Sequence, residues 1–244
     1  MKIYGRNAVE EALKSGTTID RLVVQRDLRD AGANRIIQEA KDRGIKIFFR
    51  DKTALDREIE HGGRHQGFVA EVTDFKYSEP EEILALAESR GEPPFIVILD
   101  GVEDPHNLGS VIRVAECAGV HGIIIPRHRA VSVNDTVVKV SSGAAAHIKV
   151  AKVTNINNTI AELKERGVWV YAADMEGDDL YSTDLRGPVA IVVGGEGKGV
   201  SRLTREVCDG VVSIPMFGKV NSLNASVAAA VVIYEKVRQM VAHR

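Results

Sequence analysis

Several absences narrow the reading before any motif is considered. No stretch of the 244-residue chain approaches the ~18 uninterrupted apolar residues of a membrane span. The opening segment MKIYGRNAVEEALKSG is amphipathic and charged and lacks the apolar core of a secretion signal, so a cytoplasmic protein with no membrane partner is expected. Only two cysteines occur, Cys117 and Cys208, far apart in the chain, and both are expected as reduced thiols. Neither has the neighbouring ligands that a metal site requires, so no metal is expected. Charge of one sign is also missing: 32 Lys+Arg stand against 34 Asp+Glu, and a net charge of −2 does not by itself point to a polyanion partner.

The charge is unevenly spread, however. Residues 1–76 hold 15 basic against 13 acidic side chains, whereas residues 77–92 hold Arg90 against five glutamates. The first segment is therefore weakly basic, which is compatible with RNA contacts without requiring them. The 44% apolar content is ample for a core.

Two blocks separate at the acidic, proline-bearing stretch YSEPEEILALAESRGEPP, which reads as a linker with a short helix at most. The expected division is 1–76, linker 77–92, and 93–244. In the first block, helical periodicity in NAVEEALKSG stops at Gly16; IDRLVVQ, IKIFFR and GFVAEV read as strands, and ANRIIQEAKDRG as a helix ending at Gly44. This is a small α/β unit. In the second block, apolar strands at 95–100, 122–127, 147–152, 168–174, 189–196 and 210–215 alternate with helices near 107–119, 134–143, 155–167, 200–206 and 223–242. Continuous apolar strands alternating with helices predict a parallel sheet covered on both faces. Ligands in such sheets bind beyond the carboxyl ends of the strands.

Three loops at such ends are unusual. The first, GVEDPHNLGSVIRVAECAGV, opens a helix whose apolar stripe is Leu108, Val111, Ile112, Ala115 and Gly119. Asn107 stands at its entrance and Arg113 lies about 100° off the stripe, free to leave the fold. A capping asparagine and a solvated arginine would account for both. The second, VVGGEGKGVS, has four glycines in six residues around Glu196 and follows a buried strand, allowing close backbone approach to a ligand. It lacks the Gly-Lys-Ser/Thr ending of a phosphate loop, and the dinucleotide pattern fails at Val200. An ordinary glycine turn with an incidental glutamate is the alternative. The third, SIPMFGKVNSLNAS, packs Asn221, Ser222 and Asn224 ahead of the last helix, where a single capping residue would suffice.

Taken together, in this order, NLGSVIR, VVGGEGKGVS and IPMFGKVNSLNASVAAAVVIYE closely resemble the three motifs of the TrmH branch of the SPOUT superfamily, S-adenosylmethionine-dependent RNA ribose 2′-O-methyltransferases. The resemblance spans about 93–244. The first block is similar to that branch's substrate-binding module, which resembles an RNA-binding ribosomal protein. Its IYGRNAVEEAL and HQGFVAEV bring the match nearest to members that methylate a guanosine of large-subunit ribosomal RNA. The resemblance implies a C-terminal parallel-sheet domain tied in a deep trefoil knot, an exception to un-knotted connections. It also implies the methyl donor S-adenosylmethionine held by Gly194, Gly195, Ile214, Met216, Ser222 and Leu223, with reaction residues Asn107, Arg113, Glu196, Ser222 and Asn224. Arg113 would bind the phosphate beside the target ribose, Glu196 would orient Arg113 or Asn107 or help remove the proton, and Ser222 and Asn224 would hold one another. The implied partners are ribosomal RNA and a second copy of the chain, joined through this domain. The stripe Val227, Val231, Tyr234, Val237 and Val241 on the last helix fits that interface or an internal core equally. A transfer-RNA substrate, another ribosomal nucleotide and a catalytically silent RNA-binding protein are the alternatives.

Overall fold

The computed structural model describes residues 2–15, 17–59, 63–73, 75–197 and 199–242. It divides into two compact units, 1–76 with 132–135, and 77–131 with 136–244. The helix stop expected at Gly16 lies outside the described residues.

The amino-terminal unit contains β1 (Lys2–Tyr4), α1 (Arg6–Lys14), β2 (Thr18–Gln25), α2 (Ala31–Asp42), β3 (Lys46–Arg50), α3 (Lys52–Asp56) and β4 (Phe68–Thr73). Its sheet runs in the order β1-β4-β2-β3, with β2 and β3 parallel and the β4 pairings antiparallel. Alternation along β2 sends Leu22 and Val24 into one core with Val9, Leu13 and Ile36 of α1 and α2. Val23 goes to the other face with Leu55 of α3. β1 and α3 have no counterpart in the sequence reading, because three and five residues are too few to show a period.

The second unit begins with α4 (Pro80–Arg90) inside the presumed linker. Pro80 occupies the first turn, Glu82 accepts from the Glu79 N–H, and Gly91 ends the helix in the left-handed region. Ile83 and Ala87 are fully buried, Ile83 in the core of the large sheet. The remaining elements are β5 (Phe95–Asp100), α5 (Pro105–Cys117), β6 (Gly122–Pro126), α6 (Asp135–Val140), β7 (Lys149–Val153), α7 (Ile156–Glu165), β8 (Trp169–Asp179), β9 (Val189–Gly194), α8 (Arg202–Val207), β10 (Gly210–Ser213) and α9 (Ala225–Val241).

All six strands are parallel, in the order β10-β8-β9-β5-β6-β7. Central β5 and β9 are apolar because helices cover both faces, each fully buried Ile or Val contributing about 1.5–3 kcal/mol. The chain runs from β5 outward through β6 and β7, then crosses to β8 on the other side of β9. The paired ends of β5 and β9, Asp100 opposite Gly194, therefore lie at the switch in winding, where a crevice forms.

Three details differ from expectation. The helix read at 134–143 ends at Val140; Ser142 and Gly143, both at positive φ, follow it and lead into a separate 3-10 turn at Ala144–Ala146. β8 runs on to Asp179, with a register shift against β10. Gly119, read as part of the α5 stripe, follows the helix at φ 74 and is exposed, while Leu108, Val111, Ile112 and Ala115 are buried as read.

Candidate active site

A cavity of about 610 Å³ opens at the carboxyl ends of β9 and β10, beside Ala173, Asp174 and Met175, where β8 runs past the end of β9. Gly194, Gly195 and Glu196 form one wall; Ile214 and Met216 form a second, and Ser222, Leu223 and Asn224 a third. The six residues expected to hold a methyl donor thus share one cavity.

Close backbone approach explains the paired glycines. A Cβ on Gly195 would collide with the Gly101 carbonyl, and one on Gly194 with the backbone of Gly199. The loop after β9 can therefore fold across the end of β5, where the Gly195 N–H donates to the Asp100 carbonyl at 2.9 Å. The Ser201 N–H donates to Asp100 Oδ2, also at 2.9 Å, and Ser201 caps α8. Asp100 thus pins both ends of the loop that carries Glu196.

Three of the five expected reaction residues come together. α5 begins at Pro105 with Asp104 as its cap, so the side chain of Asn107, in the first turn, is not needed for capping. Asn107 is buried and its Nδ2 donates to Glu196 Oε1 at 3.0 Å. Asn224 donates through Nδ2 to the same oxygen at 2.6 Å and to Asn107 Oδ1 at 3.0 Å. The other end of the Asn224 amide caps α9: Oδ1 accepts from the Ser226 N–H at 2.9 Å and from the Val227 N–H at 3.4 Å. Two amides thus converge on one carboxylate oxygen at the cavity wall.

The other two residues behave differently. Ser222 lines the cavity, but among the described residues no hydrogen bond joins it to Asn224, which is held by Asn107, Glu196 and Ser226 instead. Arg113 is exposed, as its place on the helical wheel required, and its Nη1 donates to Ser142 Oγ at 3.3 Å. Glu196 therefore holds Asn107 and not Arg113, because the six-residue offset along α5 separates the two positions by about 9 Å along the axis.

The sequence reading missed Asp174 at the end of the expected strand 168–174, the place where ligand residues of parallel sheets collect. Its side chain lines the cavity, accepts from the Met175 N–H at 2.8 Å and faces Arg205 at 3.6 Å. The cavity thus combines apolar walls, open backbone and two carboxylates. That set suits a large ligand with a flat apolar part and positive charge.

α9 packs through Ala225, Ala229, Val232 and Ile233. Its stripe of Val227, Tyr234 and Val241 is exposed, with Val231 and Val237 half-buried, so this face is not the internal core. Polar groups secure the helix: buried Lys236 donates to the Gly187 carbonyl at 2.8 Å, and Gln239 accepts from the Leu185 N–H at 2.8 Å. Burial lowers the Lys236 pKa to about 8. Burial and the neighbouring Asp209 push the Cys208 thiol up to about 12, leaving it unreactive. Among the described residues no cluster of metal-binding side chains occurs, and no helix is long and apolar enough to cross a membrane.

Comparison with known proteins finds relatives for both units. Residues 94–234 match the SpoU rRNA Methylase family, and residues 2–78 match the family described as RNA 2′-O ribose methyltransferase substrate binding. The 23S rRNA (guanosine-2′-O-)-methyltransferase RlmB of Ralstonia nicotianae is 43% identical, over 97% of this chain and 95% of its own. YacO of Bacillus subtilis, placed in the TrmH family of tRNA/rRNA methyltransferases, is 45% identical over 97% of this chain and 95% of its own. Among solved structures, the SpoU methyltransferase AviRb of Streptomyces viridochromogenes, in complex with AdoMet, aligns with a TM-score of 0.63. It is 25% identical, over 99% of this chain and 91% of that one.

Proposed function

The chain belongs to the SpoU rRNA methylase family, and from that premise we propose that it methylates the ribose 2′-oxygen of a guanosine in large-subunit (23S) ribosomal RNA, with S-adenosylmethionine as donor. The enzyme is an RNA 2′-O-ribose methyltransferase; the guanosine and the 23S target are the finer part of the reading, supported by the likeness to RlmB along nearly the whole chain.

One observation carries the reading: the Asn107–Glu196–Asn224 cluster sits on the wall of a cavity whose lining suits the donor. The donor, when bound, supplies an electrophilic methyl group on a sulfonium centre. Gly194 and Gly195 offer backbone where side chains would block an adenine edge, and Ile214, Met216 and Leu223 offer apolar surface. The Glu196 carboxylate favours a cationic ligand over a neutral one, whereas the charge of Asp174 is already opposed by Arg205.

A ribose hydroxyl is a poor nucleophile at neutral pH, so it must be oriented and must lose its proton as the new bond forms. Glu196, held by two amides, is the group placed to orient the hydroxyl and accept that proton. Asn107 and Asn224 act as positioning residues for Glu196, and Ser222 contributes to the donor wall. Arg113, exposed on α5 and carrying a planar fork of N–H donors that matches a phosphate, is placed to grip an RNA phosphate.

Residues 1–76 act as the substrate-binding domain in this reading, 93–244 as the catalytic domain with its knot, and the exposed α9 stripe as the face that pairs two copies. The test is transfer of labelled methyl from S-adenosylmethionine to protein-free large-subunit RNA and, in parallel, to transfer RNA, followed by nucleoside analysis. 2′-O-methylguanosine from the ribosomal RNA is the expected product. Label on a base, or on transfer RNA alone, would overturn the assignment.

A further inference from the structure

The outer strand of the amino-terminal sheet carries an arrangement that its packing does not explain. β3 ends the order β1-β4-β2-β3 and is paired with β2 along Lys46–Arg50. Alternation sends Lys46, Phe48 and Arg50 to one face and Ile47 and Phe49 to the other. The register identifies these faces. Phe48 lies opposite Val23, on the α3 side, while Ile47 and Phe49 lie opposite Leu22 and Val24, on the side of α1 and α2.

Ile47 is half-buried against its core, yet Phe48 and Phe49 remain 38% and 41% exposed. On the Phe48 face the ring is flanked two residues away on each side by an exposed cation, Lys46 and Arg50. The Arg50 guanidinium stands 5.8 Å from the Phe48 centroid, within cation–π range. The adjoining carboxylate Asp51 faces Arg26 at 3.9 Å, so the strip keeps its positive character.

A cation, an aromatic ring and a cation at strand spacing, about 6.6 Å apart, match the chemistry of single-stranded nucleic acid sites. There a base stacks on the ring while basic side chains track the phosphates. The same two cations oppose the alternative occupant, since charged side chains on an edge strand discourage pairing with another protein strand. We infer that the Lys46–Phe48–Arg50 face of β3 docks an unpaired segment of the substrate RNA, with a base on Phe48 and phosphates on Lys46 and Arg50. The inference rests on the RNA-methylating reading and adds to it the surface that grips the RNA.

Phe49 supplies an internal control, being equally exposed but on the opposite face and next to Ile47 rather than a cation. In the full-length protein, Phe48→Ala is expected to weaken binding to protein-free large-subunit RNA roughly five-fold or more, the loss of one stacked base. Phe48→Trp retains affinity and Phe49→Ala stays within about two-fold, because neither removes a stacking ring from this strip. Lys46→Gln with Arg50→Gln lowers the slope of log affinity against log salt by about 1.4, or about 0.7 for each phosphate contact. A wild-type circular dichroism spectrum and a wild-type urea unfolding curve in every variant report an intact amino-terminal unit, which donor affinity, a property of the other unit, does not monitor.

Wild-type affinity and salt slope in both Phe48→Ala and the Lys46→Gln/Arg50→Gln pair overturn the inference. So does a change in sedimentation mass with RNA affinity intact, which would assign the edge to protein pairing. Methyl transfer by the wild-type chain, measured on the same RNA, separates the two readings. Ribose labelling with unaffected variants sinks the strip alone. Strip-dependent binding without ribose labelling upholds the strip and sinks the methylation assignment.

Discussion

Asn224 donates to Glu196 Oε1 at 2.6 Å while the oxygen of the same amide caps α9. An asparagine can do both because its amide carries an acceptor and two donors on opposite corners. The helix start and the orientation of the carboxylate are thus set by one planar group. Rotating that group for one purpose would break the other.

Replacing Asn224 by serine should separate the two roles. Serine caps as well as asparagine, so stability should stay within about 0.5 kcal/mol, whereas Asn224→Ala should lose about 1 kcal/mol. Both substitutions remove the donor to Glu196, and both are expected to lower kcat roughly ten-fold or more through misplacement of the carboxylate. Urea unfolding and single-turnover methylation measure the two effects. Full activity in Asn224→Ser would confine Asn224 to capping.

Arg113→Ala is expected to lower kcat/KM for RNA roughly ten-fold or more while leaving donor affinity within about three-fold. The side chain lies outside the cavity and reaches Ser142 instead. Loss of a phosphate contact appears as a higher KM for RNA and a shallower salt dependence. If calorimetry shows equal loss of donor binding, the phosphate role is wrong.

Gly195→Ala has no space for its methyl group, which would meet the Gly101 carbonyl. Either β9's loop or the end of β5 must move, at a cost of about 1–3 kcal/mol in stability. Because that loop carries Glu196, donor affinity should fall at least ten-fold, and thermal shift with added donor should be lost. Unchanged donor binding would show that the loop adapts.

Lys236 should make stability depend on pH in the alkaline range. Its folded pKa, about 8, lies below the ordinary lysine value of 10.5. Between those limits the unfolded chain binds more protons, so this group makes stability rise with pH, by at most about 1.4 kcal/mol per unit. Lys236→Met should remove that rise, so its stability relative to wild type should be greatest near neutral pH and decline toward pH 10.5. Denaturation midpoints at pH 7, 8.5 and 10 test this; a constant difference would mean that the buried lysine does not titrate in that window.

Much of this molecule was legible in its residues. Short apolar runs such as FIVILD and VAIVVG, separated by helical stretches, fit strands buried on both faces, and that alternation matches the parallel sheet that was found. The wheel position of Arg113 already excluded it from the core of α5; the glycines around Glu196, read as open to a ligand or to an ordinary turn, prove to be pressed against the backbone of Gly101 and Gly199. Periodicity and steric size are local properties, so a local reading recovers them. Other features were decided only by the tertiary structure. β1 and α3 are too short to carry a period, and the α9 stripe could have faced inward until burial showed Val227, Tyr234 and Val241 outside. Asn107 and Asn224, 117 residues apart, meet on Glu196, whereas Arg113, only six residues from Asn107, does not. Hydrogen bonds require donors and acceptors within a few tenths of an ångström of their proper separation. Distance along the chain says nothing about that separation, and it is set here by the switch in winding that brings the ends of β5 and β9 side by side.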